Sequence, residues 1–385
     1  MQFIETASHL ENLCADLTKA PYVCIDLEFL REHTYFAKLC LIQIASADKD
    51  AIIDPLAKDI DLQPFFQLLQ NPNVVKVFHS GRQDIELLYQ LSHSIPTPLF
   101  DTQIAASAIG YGESVSYEHL VKSFLNINLD KSSRLSDWSK RPLSDKQLEY
   151  AICDVTHLAK IYPLILTKLQ SLNRLDWIKD ELDNLASPFL YEIKPEEIWL
   201  KIRHRSHSPK FLTLLRELAC WREKRAILKN TPRQSLLKDD ILLNICASSP
   251  ETKEDLAAVR GIRADMAKGK IGDELITVVQ KFKSLPKENY VTVCNDEEKD
   301  GNIDGALLEL LRMVLRITAS QNNVTPKLIA SDDELKSYCG NHEANVRFLQ
   351  GWRYQIFGQL VSKICSGKTA VTYNQHNHSI EIINI

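Results

Sequence analysis

The chain has 385 residues, 44% apolar and 25% charged, an ordinary balance for a soluble globular protein with room for two or three domains. A net charge of −4 excludes a global positive field, so any polyanion must be met by a local basic patch. Nine cysteines without a C-x-x-C pair argue against a zinc site or disulfide framework and fit a reducing cytoplasm, the expected location, and neither a leader in Met1 to Asp16 nor a bilayer-length apolar run is present, so no membrane partner is expected.

Thr6 to Leu17 has apolar residues at helical spacing and ends before Pro21. Tyr22 to Phe29 (YVCIDLEF) reads as a strand: Val23, Ile25, Leu27 and Phe29 point one way, and Cys24, Asp26 and Glu28 the other. Two carboxylates side by side on a buried strand repel each other and lose hydration, which a divalent cation would offset. An edge strand with both acids in water is the more economical reading of a lone D-x-E, so the rest of the chain decides. Ala37 to Ala45 is a second strand, with Gln43 interrupting its apolar run, and Ala51 to Pro55 a short third. Leu62 to Leu69 is a helix stopped at Asn71-Pro72, and Val74 to Phe78 another strand. Strands mixed with helices over about 160 residues indicate an α/β domain.

His79 to Leu88 (HSGRQDIELL) follows that strand. Ser80 and Gln83 have capping-box spacing, so a helix is predicted to open there, with Asp84 in its first turn. Asp84 is then either a third ligand or a complement to the helix dipole. Phe100-Asp101-Thr102 starts a further helix, and capping accounts for Asp101. Lys131 to Arg141 (KSSRLSDWSKR) is a basic loop, either a mobile flap that meets phosphates through Lys131, Arg134, Lys140 and Arg141 or an ordinary solvated loop. Ser144 and Gln147 form a second capping box, opening a helix toward Tyr162. Tyr150 and Asp154, four apart, share one face of it, beside a core stripe of Leu148, Ala151, Ile152, Val155, Leu158 and Ala159.

In order, these are D-x-E on a strand, H-x-G-x-x-D opening a helix, and Y-x-x-x-D on a later helix. The set resembles the DEDD superfamily of 3′–5′ exonucleases in its tyrosine-containing branch. The wording around Asp26 to Glu32, Phe100 to Gln103 and Trp138 to Pro142 resembles the ribonuclease D family within it. The resemblance covers about Met1 to Ala186 and implies an RNase H-like mixed sheet flanked by helices. It also implies that Asp26, Glu28, Asp84 and Asp154 hold two divalent ions, Mg2+ or Mn2+, and that Tyr150 orients the attacking water. All five positions match. His79 matches as well and is read as supporting the strand end or hydrogen-bonding substrate.

Lys201 to Pro209 (KIRHRSHSP) reads as a linker. From Lys201 to Arg233 ten basic residues face only Glu217 and Glu223, a local net of +8. Arg203, Arg205, Arg222, Arg225 and Arg233 are the candidate phosphate contacts there, and Trp199 and Trp221 candidate stacking platforms. A solvated helix face with the tryptophans in the core is the other reading, and the better one for Trp221. Thr231-Pro232 before Asp239-Asp240 and Thr325-Pro326 before Asp332-Asp333 repeat at an offset of 93 to 94, and Gly261 parallels Gly351, so two related helical domains are inferred. They resemble the HRDC domain, the helical nucleic-acid-binding module, and two of them after the exonuclease domain match the arrangement of bacterial members of the family. The expected boundaries are an exonuclease domain at 1–190, a linker at 191–209, a first all-α HRDC domain at 210–288, an acidic linker at 289–303 and a second HRDC-like domain at 304–385. That last domain ends in a hairpin turning near Asn374 to Asn377.

The resemblance implies an exoribonuclease acting on RNA with a free 3′ end, tRNA precursors above all, and releasing nucleoside 5′-monophosphates; a monomer is expected. Two rivals stand beside it. A DNA exonuclease would use the same acids, since they carry no 2′-OH information. A catalytically silent RNA-binding or helicase-partner module would have no need of four mutually repelling carboxylates.

Overall fold

The computed structural model describes residues 1–130, 136–291, 303–376 and 378–385. Lys131, Arg134 and the acidic join around Asp296 to Asp300 lie outside the described residues. The chain divides into two compact units. One comprises Met1–Phe29, Leu39–Leu190 and Asp296–Ile385, the other Leu30–Lys38 and Tyr191–Asn295.

The first unit is built on a six-stranded mixed sheet. Its strands are β1 (Gln2–Ile4), β2 (Tyr22–Leu30), β3 (Lys38–Ala45), β4 (Asp50–Ile53), β5 (Val75–Phe78) and β6 (Leu99–Asp101), in the order β1-β4-β3-β2-β5-β6. β3 and β4 pair antiparallel, while β1–β4, β2–β5 and β5–β6 are parallel. β2 therefore lies at the centre of the sheet, which removes the edge-strand alternative for Asp26 and Glu28. The edges are β1 and β6, three residues each, too short to show a period of two in the sequence.

Helices α1 (Ala7–Leu17), α2 (Gln63–Leu69), α3 (Arg82–Ser92), α4 (Thr102–Ala108), α5 (Tyr117–Leu125), α6 (Asp145–Ser171) and α7 (Leu175–Leu185) complete this part. α6 opens on the expected Ser144–Gln147 capping box and runs 27 residues, through Pro163. Its buried stripe of Val155, Leu158, Ile161, Tyr162, Ile165 and Leu169 packs in one cluster with Tyr22 and Cys24 of β2, Val77 of β5 and Phe100 of β6. Cys24 shares a strand face with Asp26 and Glu28 by alternation, so the helix bearing Tyr150 and Asp154 lies over the acid-bearing face.

The C-terminal helical region belongs to the same unit. Its helices Gly305–Gln321, Pro326–Ile329 and Asp332–Gly340 enclose a core of their own, and it ends in the hairpin Thr369–Asn374 and Ser379–Asn384. This region docks on α7. Trp177 and Trp352 stack at 4.1 Å and 7°, with Arg174 over the outer face of Trp177 at 4.4 Å and Arg353 near Trp352 at 4.6 Å. Arg353 is 2% exposed and pairs with Asp180 and Glu181 while its Nε donates to the Leu328 carbonyl.

The second unit is all-helical apart from the inserted Leu30–Lys38 segment. Helix α8 (Pro209–Lys229) supplies Leu214, Leu215, Leu218 and Ala219 to its core. Pro195–Lys201, expected to be linker, is a 3-10 helix, and Ile198 and Ile202 enter that same core. The repeat is visible in the backbone: Arg233–Leu236 and Asp239–Ser248 correspond to Pro326–Ile329 and Asp332–Gly340. Gly261 and Gly351 both take positive φ, +92° and +53°, where a side chain would be strained.

Candidate metal centre

Three elements deliver the acids. β2 places Asp26 and Glu28 on one face, α6 places Asp154 over them, and oxygens of these three carboxylates lie within 4.8 Å of one another. Asp84, in the first turn of α3, is buried beside them, close enough for the charges of Asp26 and Glu28 to raise its pKa. Asp26, Asp154 and Tyr150 line a cleft of about 500 Å³ with His79, Tyr117 and Leu129.

The electrostatics are those of uncompensated acids. Burial lifts Asp26 to about 6, with the Leu27 N–H opposing. Burial, then the charges of Asp26 and Asp154, lift Glu28 to about 9. Burial and Asp26 lift Asp154 to about 8, with the Tyr150 hydroxyl hydrogen bond opposing. Burial, then Asp26, Glu28 and Asp101, push Asp84 well up. Only hydrogen bonds counter these shifts at Asp26 and Asp154. A set of hard carboxylate oxygens, mutually repelling and without a basic partner among the described residues, fits a divalent cation such as Mg2+ or Mn2+.

The turn before α3 differs from the expected capping box. Ser80 adopts φ +57° and its side chain caps nothing. Helix α3 has no side-chain cap; Asp101 is the N-cap of α4, accepting from the N–H groups of Gln103 and Ile104 at 2.8 and 3.2 Å, and its carboxylate also accepts from those of Ser80 and Gly81, just before α3, at 3.2 and 2.8 Å. With four backbone donors, Asp101 is a structural cap that fixes the tip carrying Asp84 to the tip of β6. A cap reaching across strands leaves no local spacing to find. His79 bonds Thr102 Oγ1 through Nδ1 at 3.0 Å, and burial lowers its pKa, favouring the neutral ring.

Two aromatic supports of the site were not singled out in the sequence as such. Tyr117 donates its hydroxyl to the Asp154 carbonyl at 2.5 Å, tying α5 to the turn of α6 that holds the acid. Trp138 sits 6.1 Å from the Tyr150 ring. Neither belongs to a spacing pattern, although the tryptophan stood out in its basic loop.

The candidate nucleic-acid contacts divide. Arg203 and Arg205 are solvent-exposed, with no ion pair among the described residues. Arg222 is not on the surface: it is 1% exposed, paired with Asp239 at 2.6 Å and donating to the Leu237 carbonyl. Arg225 pairs with Glu274, which also accepts from Trp221 Nε1 at 3.0 Å. Arg233 pairs at 3.0 Å with the fully buried Glu223, which also accepts from the Tyr35 hydroxyl. Arg141 is no flap residue either: its guanidinium is held by Asp54 and three carbonyls. In each case a carboxylate distant in sequence takes the charge expected for phosphate, which composition alone cannot reveal. Trp199 and Trp221 both pack against the second unit's core.

Residues 1–170 match a 3′–5′ exonuclease family model, and residues 211–279 match the HRDC domain. Ribonuclease D of Bartonella henselae is 40% identical over 96% of this chain and 91% of its own length, and ribonuclease D of a Jannaschia species is 41% identical over 96% of each. Among solved structures, Escherichia coli RNase D, described as an exoribonuclease involved in structured RNA processing, superposes with a TM-score of 0.81 at 25% identity, covering 95% of this chain and 98% of that one. With the acid cluster under α6 and relatives aligned across nearly its whole length, the chain belongs to the ribonuclease D family of 3′–5′ exoribonucleases.

Proposed function

We propose that this protein trims the 3′ ends of structured RNA, tRNA precursors foremost, by hydrolysis at two divalent ions held by Asp26, Glu28, Asp84 and Asp154. The observation that carries the reading is the convergence of Asp26, Glu28 and Asp154 within 4.8 Å, without a basic partner among the described residues. When bound, such ions lower the pKa of an attacking water and neutralise charge on a leaving 3′-oxygen.

The chain's own residues do the rest. Asp26 and Glu28 are fixed by a central strand and Asp154 by a long packed helix, so the ligand set is rigid before substrate arrives. Tyr150, one turn before Asp154 and facing the same cleft, holds the attacking water in line through its hydroxyl. Neutral His79 is placed to hydrogen-bond the terminal nucleotide. Exposed Arg203 and Arg205 offer charge to the phosphate backbone. The products are nucleoside 5′-monophosphates. Support for structured RNA comes from the Escherichia coli relative, and for tRNA precursors from the family resemblance.

The test is digestion of a 3′-extended tRNA precursor and of matched RNA and DNA oligomers, with Mg2+, Mn2+ or chelator. Stepwise shortening of RNA from its 3′ end, lost with chelator, is expected. Preferential digestion of DNA, or full activity in chelator, would refute the assignment.

A further inference from the structure

The segment Trp138 to Arg141, at the end of the basic loop, is pinned to the sheet. Arg141 Nε and Nη2 donate to the two oxygens of Asp54 at 2.6 and 2.7 Å. Nη2 also donates to the Cys40 carbonyl of β3 at 2.7 Å, and Nη1 to the Trp138 and Lys140 carbonyls at 2.8 Å. Asp54, just past β4, is buried and also accepts from the Leu56 N–H at 2.9 Å. A two-pronged guanidinium–carboxylate pair with further acceptors on all sides is a stiff joint. It ties residues 138–141 to the ends of two strands.

This joint holds Trp138. The indole is 2% exposed, yet its N–H has no acceptor among the described residues. Packing and the clamped backbone hold the ring. Its plane lies 35° from that of Tyr150, at 6.1 Å between centroids. Tyr150 is itself only half-buried, it lines the cleft, and its hydroxyl bonds Asp154. A tyrosine facing an open cleft has a second rotamer available unless something stands beside its ring.

We propose that Trp138, clamped by Arg141 and Asp54, is a positioning residue that confines the Tyr150 ring so that its hydroxyl stays beside Asp154 at the metal centre. This inference rests on the proposed role of Tyr150. Trp138 touches no substrate; it acts through the tyrosine. A ring free to swing would hold the attacking water less of the time, and small misplacements of orienting groups reduce rates steeply.

A double-mutant cycle on the full-length enzyme with Mn2+ tests it. Trp138→Leu should lower kcat about tenfold in the native background and less than twofold in Tyr150→Phe, with Mn2+ affinity by calorimetry unchanged in both. An equal loss in the two backgrounds overturns the proposal and leaves Trp138 a core residue. Should Trp138→Leu fold poorly, Asp54→Asn and Arg141→Lys loosen the clamp with the indole in place, and should show the same non-additivity.

A second readout does not depend on turnover. With fluorotyrosine incorporated and the Tyr150 line assigned by its loss in Tyr150→Phe, the 19F resonance should be narrow in the native protein. It should shift and broaden in Trp138→Leu and Asp54→Asn. An unmoved line refutes the positioning role whatever the kinetics show. If Tyr150→Phe keeps full activity, the water-orienting reading falls, and the 19F line still decides whether Trp138 confines the ring.

Discussion

Asp26, Glu28 and Asp154 are drawn together with no basic side chain among the described residues to meet them, whereas Arg222, Arg225 and Arg233 are each delivered to a carboxylate. The two regions look equally charged in the sequence, and folding treats them oppositely. Like charges gathered at a cleft raise the energy of the fold and need something from outside to relieve it. Opposite charges paired with one another are neutralised and call for no outside ion. The acid cluster is therefore the place to expect a ligand, and most of the arginine stripe is scaffold.

The largest break in this contrast should come from the acids. Asp26→Asn or Asp154→Asn should cut turnover by about 10³-fold or more, since several kcal/mol of charge stabilisation is lost. Either should leave thermal stability in chelator unchanged or raised, because a repelling charge is gone. Retention of full activity would remove these residues from the mechanism.

Arg222→Ala should behave the other way round. It leaves the Leu237 carbonyl unpaired and opens space in a core, so a loss of about 2–4 kcal/mol in urea unfolding is expected. The stacked seam on α7 offers a parallel: Trp352→Ala removes a ring packed against Trp177 and should destabilise by about 3–5 kcal/mol. Hydrolysis by whatever fraction stays folded should be little altered in both.

The metal and pH sharpen the contrast further. Unfolded carboxyls titrate near 4, whereas folded Glu28 and Asp154 are raised to about 9 and 8. A raised acid adds stability that is complete below the unfolded value and is lost as pH climbs through the folded one. Metal-free protein should thus lose this contribution between about pH 4 and 9. A divalent ion competes with the same protons. The rise in melting temperature on adding Mg2+ should be small near pH 5.5 and large near pH 8.5. An equal rise at both would mean that the ion binds elsewhere.

What was legible in the sequence was local. The D-x-E alternation on β2, the Ser144 capping box and the Tyr150–Asp154 spacing are set by backbone periods of two and 3.6, and each landed where expected. What was not legible depends on partners far along the chain. Asp101 holds the backbone just before α3 from 20 and 21 residues away in sequence, whereas the Ser80–Gln83 spacing pointed to a cap that does not form. Arg141 finds Asp54 across 87 residues, which turned an apparent flap into an anchor. β1 and β6 exist only because β4 and β5 offer them edges. The ammonium of Lys76 on β5, which no sequence pattern singled out, is buried against the carbonyls of Asn71 and Val74 at 2.8 and 2.6 Å and that of Thr97.

The smallest effect concerns the arginines that remain free. Arg203 and Arg205 are exposed and without an ion pair among the described residues, so they alone of the described candidates keep charge to spend on phosphate. Each phosphate contact releases roughly one counterion, so log Kd against log salt should flatten by about 1 per arginine removed. Arg203→Ala with Arg205→Ala should therefore weaken RNA binding at low salt, converge on native affinity at high salt, and leave turnover at saturating RNA unchanged. Arg225→Ala should leave the slope where it is, because that guanidinium already holds Glu274. If the slope instead followed Arg225, the paired arginines would be exchanging their carboxylates for phosphate on binding, and the division drawn between scaffold and site would be one that RNA itself dissolves.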